Sequence, residues 1–103
     1  MENITVEELK TRMDSGEILH VIDVREPDEY AETNIGAQLI PLGKILSMQI
    51  DEIDELKEEE LIIHCRSGKR SLQAAMFLEM LGFKKTRNLV GGILEWNEKF
   101  GPK

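Results

Sequence analysis

An α/β fold, a parallel sheet covered by helices, is predicted by three features of the sequence. Short apolar runs alternate with segments of helical periodicity along the chain, as they do where strands are joined by crossover helices. The runs Leu19–Val24 and Leu61–His64 are rich in branched aliphatic residues, which suit strands. Glycines stand where helical patterns end, at Gly16 and Gly82.

The elements follow in order. Val6, Leu9 and Met13 share one helical face. Thr5 with Glu8 forms a capping box in front of them, and Gly16 closes the helix. Leu19–Val24 is a strand, and Pro27 suits the first turn of a short helix through Tyr30. Gln38–Ile40 is a short strand stopped by Pro41. Leu42, Ile45, Leu46, Ile50, Ile53 and Leu56 keep helical spacing, as one helix or as two broken near Asp51. Lys57–Glu60 reads as a solvated connection, and Leu61–His64 as a central strand. Lys69–Leu81 is a helix with Leu72, Ala75, Met76 and Met80 along its packing face. Arg87–Val90 is a strand. Gly91-Gly92 permits a tight turn into a last helix carrying Ile93, Leu94, Trp96 and Phe100, with Trp96 in the core.

Residues 1–103 are expected to form a single domain. The apolar fraction of 41% is globular, and no run approaches the length needed to cross a bilayer. The acidic N-terminus has no secretory h-region, and the lone cysteine has no internal partner, so a reducing, cytoplasmic setting is expected. A net charge of −7 argues against nucleic acid or an anionic membrane as partner. Two dispersed histidines and one cysteine give no metal-ligand spacing, and no cofactor is expected.

That cysteine, Cys65, stands where the central strand runs into a basic loop and a helix, in Cys65-Arg66-Ser67-Gly68-Lys69-Arg70-Ser71. A free thiol ionises at a pKa of roughly 8.5 and reacts only as thiolate. Helix N-terminal amides and the cations Arg66, Lys69 and Arg70 are expected to favour the anion. These three are among thirteen basic residues and fall within five positions of Cys65, so a small anion would be drawn to this loop. In an open parallel sheet ligands bind beyond the carboxyl ends of strands. Cys65, Asp23–Arg25 and Gly91-Gly92 each follow a strand and are expected on one edge.

Four motifs occur in a familiar order: Asp23-Val24-Arg25-Glu26 with Asp28-Glu29-Tyr30; Ile35-Gly36-Ala37 ahead of Ile40-Pro41-Leu42; Cys65 to Ser71; and Leu89-Val90-Gly91-Gly92 ahead of Trp96. Together, from about Ile4 to Phe100, they resemble the rhodanese-like domains in their single-domain sulfurtransferase form. The resemblance implies a five-stranded parallel sheet with helices on both faces, and Cys65 as a nucleophile that becomes a persulfide. Family members with basic loops of this kind typically use thiosulfate. Those using mercaptopyruvate usually carry a second glycine where Arg66 stands here. The segment Thr33-Asn34-Ile35-Gly36-Ala37 lacks the histidine, and one residue, of the common Gly-His-Ile-x-Gly-Ala pattern.

The expected activity is thiosulfate sulfurtransferase-like. Cys65 takes sulfur from a small anionic donor and passes it to a thiol, to cyanide or to a thiol protein. Amides from Arg66 to Arg70 form a nest for the anion, Gly68 lets the backbone curl, and Ser67 and Ser71 offer hydroxyls. Arg66, Lys69 and Arg70 bind the oxyanion, and Asp23 with Arg25 orders the rim as an ion pair. His64 reads as packing or hydrogen bonding and His20 as a strand-edge residue. Two alternatives stay open. A phosphatase or arsenate reductase uses Cys-x5-Arg, whereas the spacing here is Cys-x4-Arg. A persulfide carrier or regulatory module of the same fold would keep the same motifs.

Overall fold

The structure, a computed structural model, describes residues 1–101. Pro102 and Lys103, the end of the expected domain span, lie outside the described residues. Five parallel strands form the sheet: β1 (Glu2–Ile4), β2 (His20–Asp23), β3 (Gln38–Leu39), β4 (Glu60–His64) and β5 (Lys85–Leu89), in the order β1-β5-β4-β2-β3. The helices are α1 (Val6–Asp14), α2 (Pro27–Glu32), α3 (Leu42–Leu46), α4 (Lys69–Met80) and α5 (Gly92–Phe100), with a 3₁₀ segment at Asp51–Leu56. No helix among the described residues is long and apolar enough to cross a membrane.

Alternation along β4 divides the core. Leu61, Ile63 and Cys65 join Ile22, Val24, Ile45, Ile53, Ala75, Leu78 and Phe83 on the face covered by α3 and α4. Ile62 joins Ile4, Leu9, Leu89, Ile93 and Trp96 on the face covered by α1 and α5. Helices thus cover both faces of a sheet whose central strand is buried from Leu61 to His64. Local signals read from the sequence are present: the Thr5–Glu8 capping box, Pro27 at the start of α2, and a break at Asp51 between α3 and the 3₁₀ segment.

One strand goes unread in the sequence, and two local expectations are corrected. β1 has no apolar pattern, since only Ile4 of its three residues is buried; pairing with β5 makes it a strand. The packing face of α4 is Ser71, Ala74, Ala75 and Leu78. Leu72, Met76 and Met80 are 36%, 56% and 82% exposed. Small residues let α4 approach the sheet closely and leave the long methionines outside. Glu60 is no solvated linker: it opens β4 and pairs with Arg12 at 2.6 Å and Arg87 at 2.7 Å.

Candidate active site

The chain leaves β4 at His64 and turns through Cys65 to Gly68, where a left-handed φ of 104° lets it enter α4. This curl wraps amides around the Cys65 sulfur. The Gly68 amide donates to Sγ at 3.1 Å and the Ser71 amide at 3.4 Å, and Ser71 Oγ lies 3.4 Å from Sγ. Burial pushes the thiol up, but hydrogen bonding with the Ser71 hydroxyl and with the amides of Ser71, Gly68 and Ser67 outweighs it. The thiol is held below its ordinary value. The anion is favoured chiefly by these aligned donors, and the cations expected to do so are a lesser influence.

The cations take separate roles. Arg66 and Lys69 are solvent-exposed, as is Ser67. Arg70 is half-buried and bound by Glu29 of α2 in a bidentate pair, Nη1 to Oε1 at 2.7 Å and Nη2 to Oε2 at 2.8 Å. Glu29 is fixed in turn by the Glu26 amide at 3.0 Å. The Arg70 guanidinium holds the Glu29 carboxyl down at about 2.

Asp23 and Arg25 form the expected ion pair, and it is buried: Arg25 Nη2 donates to Asp23 Oδ2 at 2.8 Å and Nε to Oδ1 at 3.0 Å. Arg25 Nη2 also donates to the Thr33 carbonyl at 2.7 Å, tying the segment after α2 to the end of β2. Arg25 Nη1 lies 3.3 Å from the Glu29 carbonyl, and the residue also lines the depression beside the Cys65 loop. His64, fully buried, has Nδ1 3.4 Å from the Cys65 carbonyl, while Nε2 stands 3.6 Å from Asp23 Oδ2 with no hydrogen-bond partner. Burial lowers its pKa against the pull of Asp23.

The start of α5 closes the loop from the other side. Ile93 N donates to the Cys65 carbonyl at 3.0 Å and Leu94 N to the Arg66 carbonyl at 3.1 Å. Gly92 permits this contact, because a Cβ there would stand 2.5 Å from Arg66 O and 2.6 Å from Cys65 O. The carboxyl ends of β2, β4 and β5 therefore converge as expected. Beside the loop lies a depression of about 400 Å³ lined by Arg66, Glu32, Thr33, Leu94 and Asn97, among others. A depression of similar size lies at the opposite, amino end of the sheet, by His20 and Gln38.

Two site residues escaped the sequence reading. Glu29 was visible only as part of a motif, and its two hydrogen bonds from Arg70 are a tertiary fact. Asn88, buried at the end of β5, accepts from Ser71 Oγ at 2.5 Å and donates to the Gly68 carbonyl at 3.3 Å. A polar residue between Arg87 and the apolar Leu89, next to a strand end, was its one local signal.

The profile of the rhodanese-like domain matches residues 5–99. The chain is 40% identical over 97 residues to YrkF of Bacillus subtilis, provisionally named a sulfur carrier protein, covering 93% of this chain and 51% of YrkF. It thus spans about half the length of that relative. It is 33% identical over 108 residues to the human thiosulfate:glutathione sulfurtransferase, covering 93% of each. Among solved structures, a rhodanese-like domain protein from Staphylococcus aureus superposes with a TM-score of 0.85 at 29% identity, covering 100% of this chain and 97% of that one. The human single-domain sulfurtransferase TSTD1 superposes with a TM-score of 0.80 at 32% identity, covering 96% and 97%.

Proposed function

The chain belongs to the rhodanese-like domain family, and from that premise we propose that it is a sulfurtransferase that moves a sulfane sulfur through a persulfide on Cys65. The observation that carries this reading is the ring of polar groups around one sulfur: the Gly68 and Ser71 amides donate to Sγ at 3.1 and 3.4 Å, and the Ser71 hydroxyl stands 3.4 Å away. Such a ring stabilises a sulfur anion and asks for no general base.

In the first half-reaction the Cys65 thiolate attacks the outer sulfur of thiosulfate. The bond between the two thiosulfate sulfurs breaks, and sulfite leaves with the electron pair. The product is Cys65 carrying one additional, anionic sulfur. An acceptor thiolate, or cyanide, then attacks that terminal sulfur, and the Cys65 thiolate departs as leaving group. Arg66 and Lys69, exposed at the mouth of the loop, attract the anionic donor. Thiosulfate is the donor favoured by this basic loop and by the name of the human relative.

Arg70 is engaged with Glu29, and the Cys-x4-Arg loop curls around a single sulfur. Both points weigh against a phosphatase or arsenate reductase. A carrier reading is favoured by the name of YrkF; in that case the persulfide would be delivered to a protein acceptor.

Intact-protein mass spectrometry after thiosulfate treatment tests the proposal. It expects a gain of one sulfur atom in the native chain and none in Cys65→Ser. An equal gain in Cys65→Ser would overturn it. Ping-pong kinetics with small thiols would mark an enzyme, and transfer confined to a thiol protein would mark a carrier.

A further inference from the structure

We propose that Asn88 is a positioning residue for the Cys65 sulfur: by claiming the single hydroxyl proton of Ser71, it decides whether Ser71 donates to Sγ or accepts from it. The inference rests on Cys65 being the reacting group, as proposed above.

Register places Asn88 opposite Ile63 of β4, one strand over from the loop. Its amide meets two groups, the Gly68 carbonyl at 3.3 Å and Ser71 Oγ at 2.5 Å. A carbonyl can only accept, so the NH2 of Asn88 must turn to Gly68. Oδ1 is then left facing Ser71, and Oδ1 can only accept. The Ser71 hydroxyl owns one proton and has two acceptors within reach, Asn88 Oδ1 and a Cys65 thiolate 3.4 Å away. All of these groups are buried, so no water relieves the contest.

While Cys65 is a thiol the chain of donors is complete: S–H to Ser71 Oγ, and Ser71 O–H to Asn88 Oδ1. When Cys65 ionises, its proton leaves to solvent. Ser71 must then either turn its hydroxyl to Sγ, orphaning Asn88 Oδ1, or keep Asn88 and present lone pairs to the anion. Either way Asn88 opposes ionisation. The Gly68 and Ser71 amides favour the anion, and Asn88 limits how far they succeed. Such a limit is useful, because nucleophilicity falls as a thiol becomes more acidic.

The other charged and titratable groups around Cys65 are His64 behind it, Asp23 and Arg25 at the end of β2, Arg66 and Lys69 on the loop, and Arg70 with its partner Glu29. None is altered in the test, which measures the pH profile of Cys65 alkylation by iodoacetamide in four proteins: native, Asn88→Ala, Ser71→Ala and the double variant. Asn88→Ala should lower the midpoint by about one pH unit, the scale of one hydrogen bond to a charged group. In the Ser71→Ala background the same change should shift nothing further. A midpoint that stays or rises in Asn88→Ala overturns the proposal, as does an equal fall with and without Ser71. Should Asn88→Ala not fold, NMR of the native chain decides: the Asn88 side-chain amide resonances should titrate with the Cys65 midpoint, and flat resonances overturn the proposal. Alkylation needs no sulfur donor, so the outcome stays readable even if sulfur transfer fails.

Discussion

Glu29 and Arg70, 41 residues apart, meet through two parallel hydrogen bonds of 2.7 and 2.8 Å. The pair ties α2 to the first turn of α4, directly beside the Cys65 loop. It also neutralises one of the three cations that follow Cys65, which divides the loop into a structural arginine and two exposed basic residues.

Acid should loosen this tie in a defined window. Glu29 is lowered from 4.5 to about 2 in the folded chain. A depressed carboxylate contributes stability that is fully present above the unfolded value and is lost as pH falls toward the folded one. The pair is 34% and 26% exposed, so screening limits it to about 1 kcal/mol. Urea denaturation should find Glu29→Gln less stable than the native chain by about that amount at pH 7, and the gap should close between pH 4.5 and about 2. A gap that persists at the acid end would refute the assignment.

Donor recognition should follow exposure. Arg66→Ala and Lys69→Ala should each raise KM for thiosulfate by roughly tenfold, with kcat little changed, as expected for loss of uniform binding to an anion. Arg70→Ala should change KM less and lower the melting temperature more. Steady-state kinetics at low and high salt check this, since added salt should erase the Arg66 and Lys69 effects first. A larger KM effect at Arg70 would reverse the division of labour.

Gly92→Ala should disable the site without touching its chemistry. The added methyl would press on the backbone of Arg66 and Cys65 at 2.5 to 2.6 Å, and the left-handed φ of 57° adds strain. The α5 amides that hold the two loop carbonyls would be pushed away. Alkylation of Cys65 at neutral pH should slow together with sulfur transfer, and stability should fall by about 2 kcal/mol or more. Native alkylation and stability in this variant would contradict the contact.

His64 should make the fold acid-sensitive. Burial lowers its pKa from 6.5, so below that pH the unfolded chain binds a proton that the folded chain refuses. Stability must then fall with pH, by up to about 1.4 kcal/mol per unit. His64→Leu should flatten this slope between pH 6.5 and 5 in urea titrations. An unchanged slope would locate the acid sensitivity elsewhere.

The parts legible in the sequence were those whose cause is local. The Thr5–Glu8 box, Pro27, the strand end at His64 and the tight loop after Cys65 depend on residues a few positions apart, and all are present. The Asp23–Arg25 pair was legible for the same reason. Hydrophobic period alone misled at α4. Leu72, Met76 and Met80 repeat as regularly as Ser71, Ala75 and Leu78, and only the sheet's demand for close approach selects the smaller set. Neither Glu29 nor Asn88 could be read as a site residue, because each acts on a loop 41 or 17 to 20 positions away.

The outermost strands carry a last consequence. One has three residues and the other two, so each offers a stranger only a short row of free amides and carbonyls. Intermolecular strand addition, the first step toward fibrils, finds little template on this molecule. Brevity at the margins thereby protects a central strand whose middle, Leu61 to Ile63, is aliphatic.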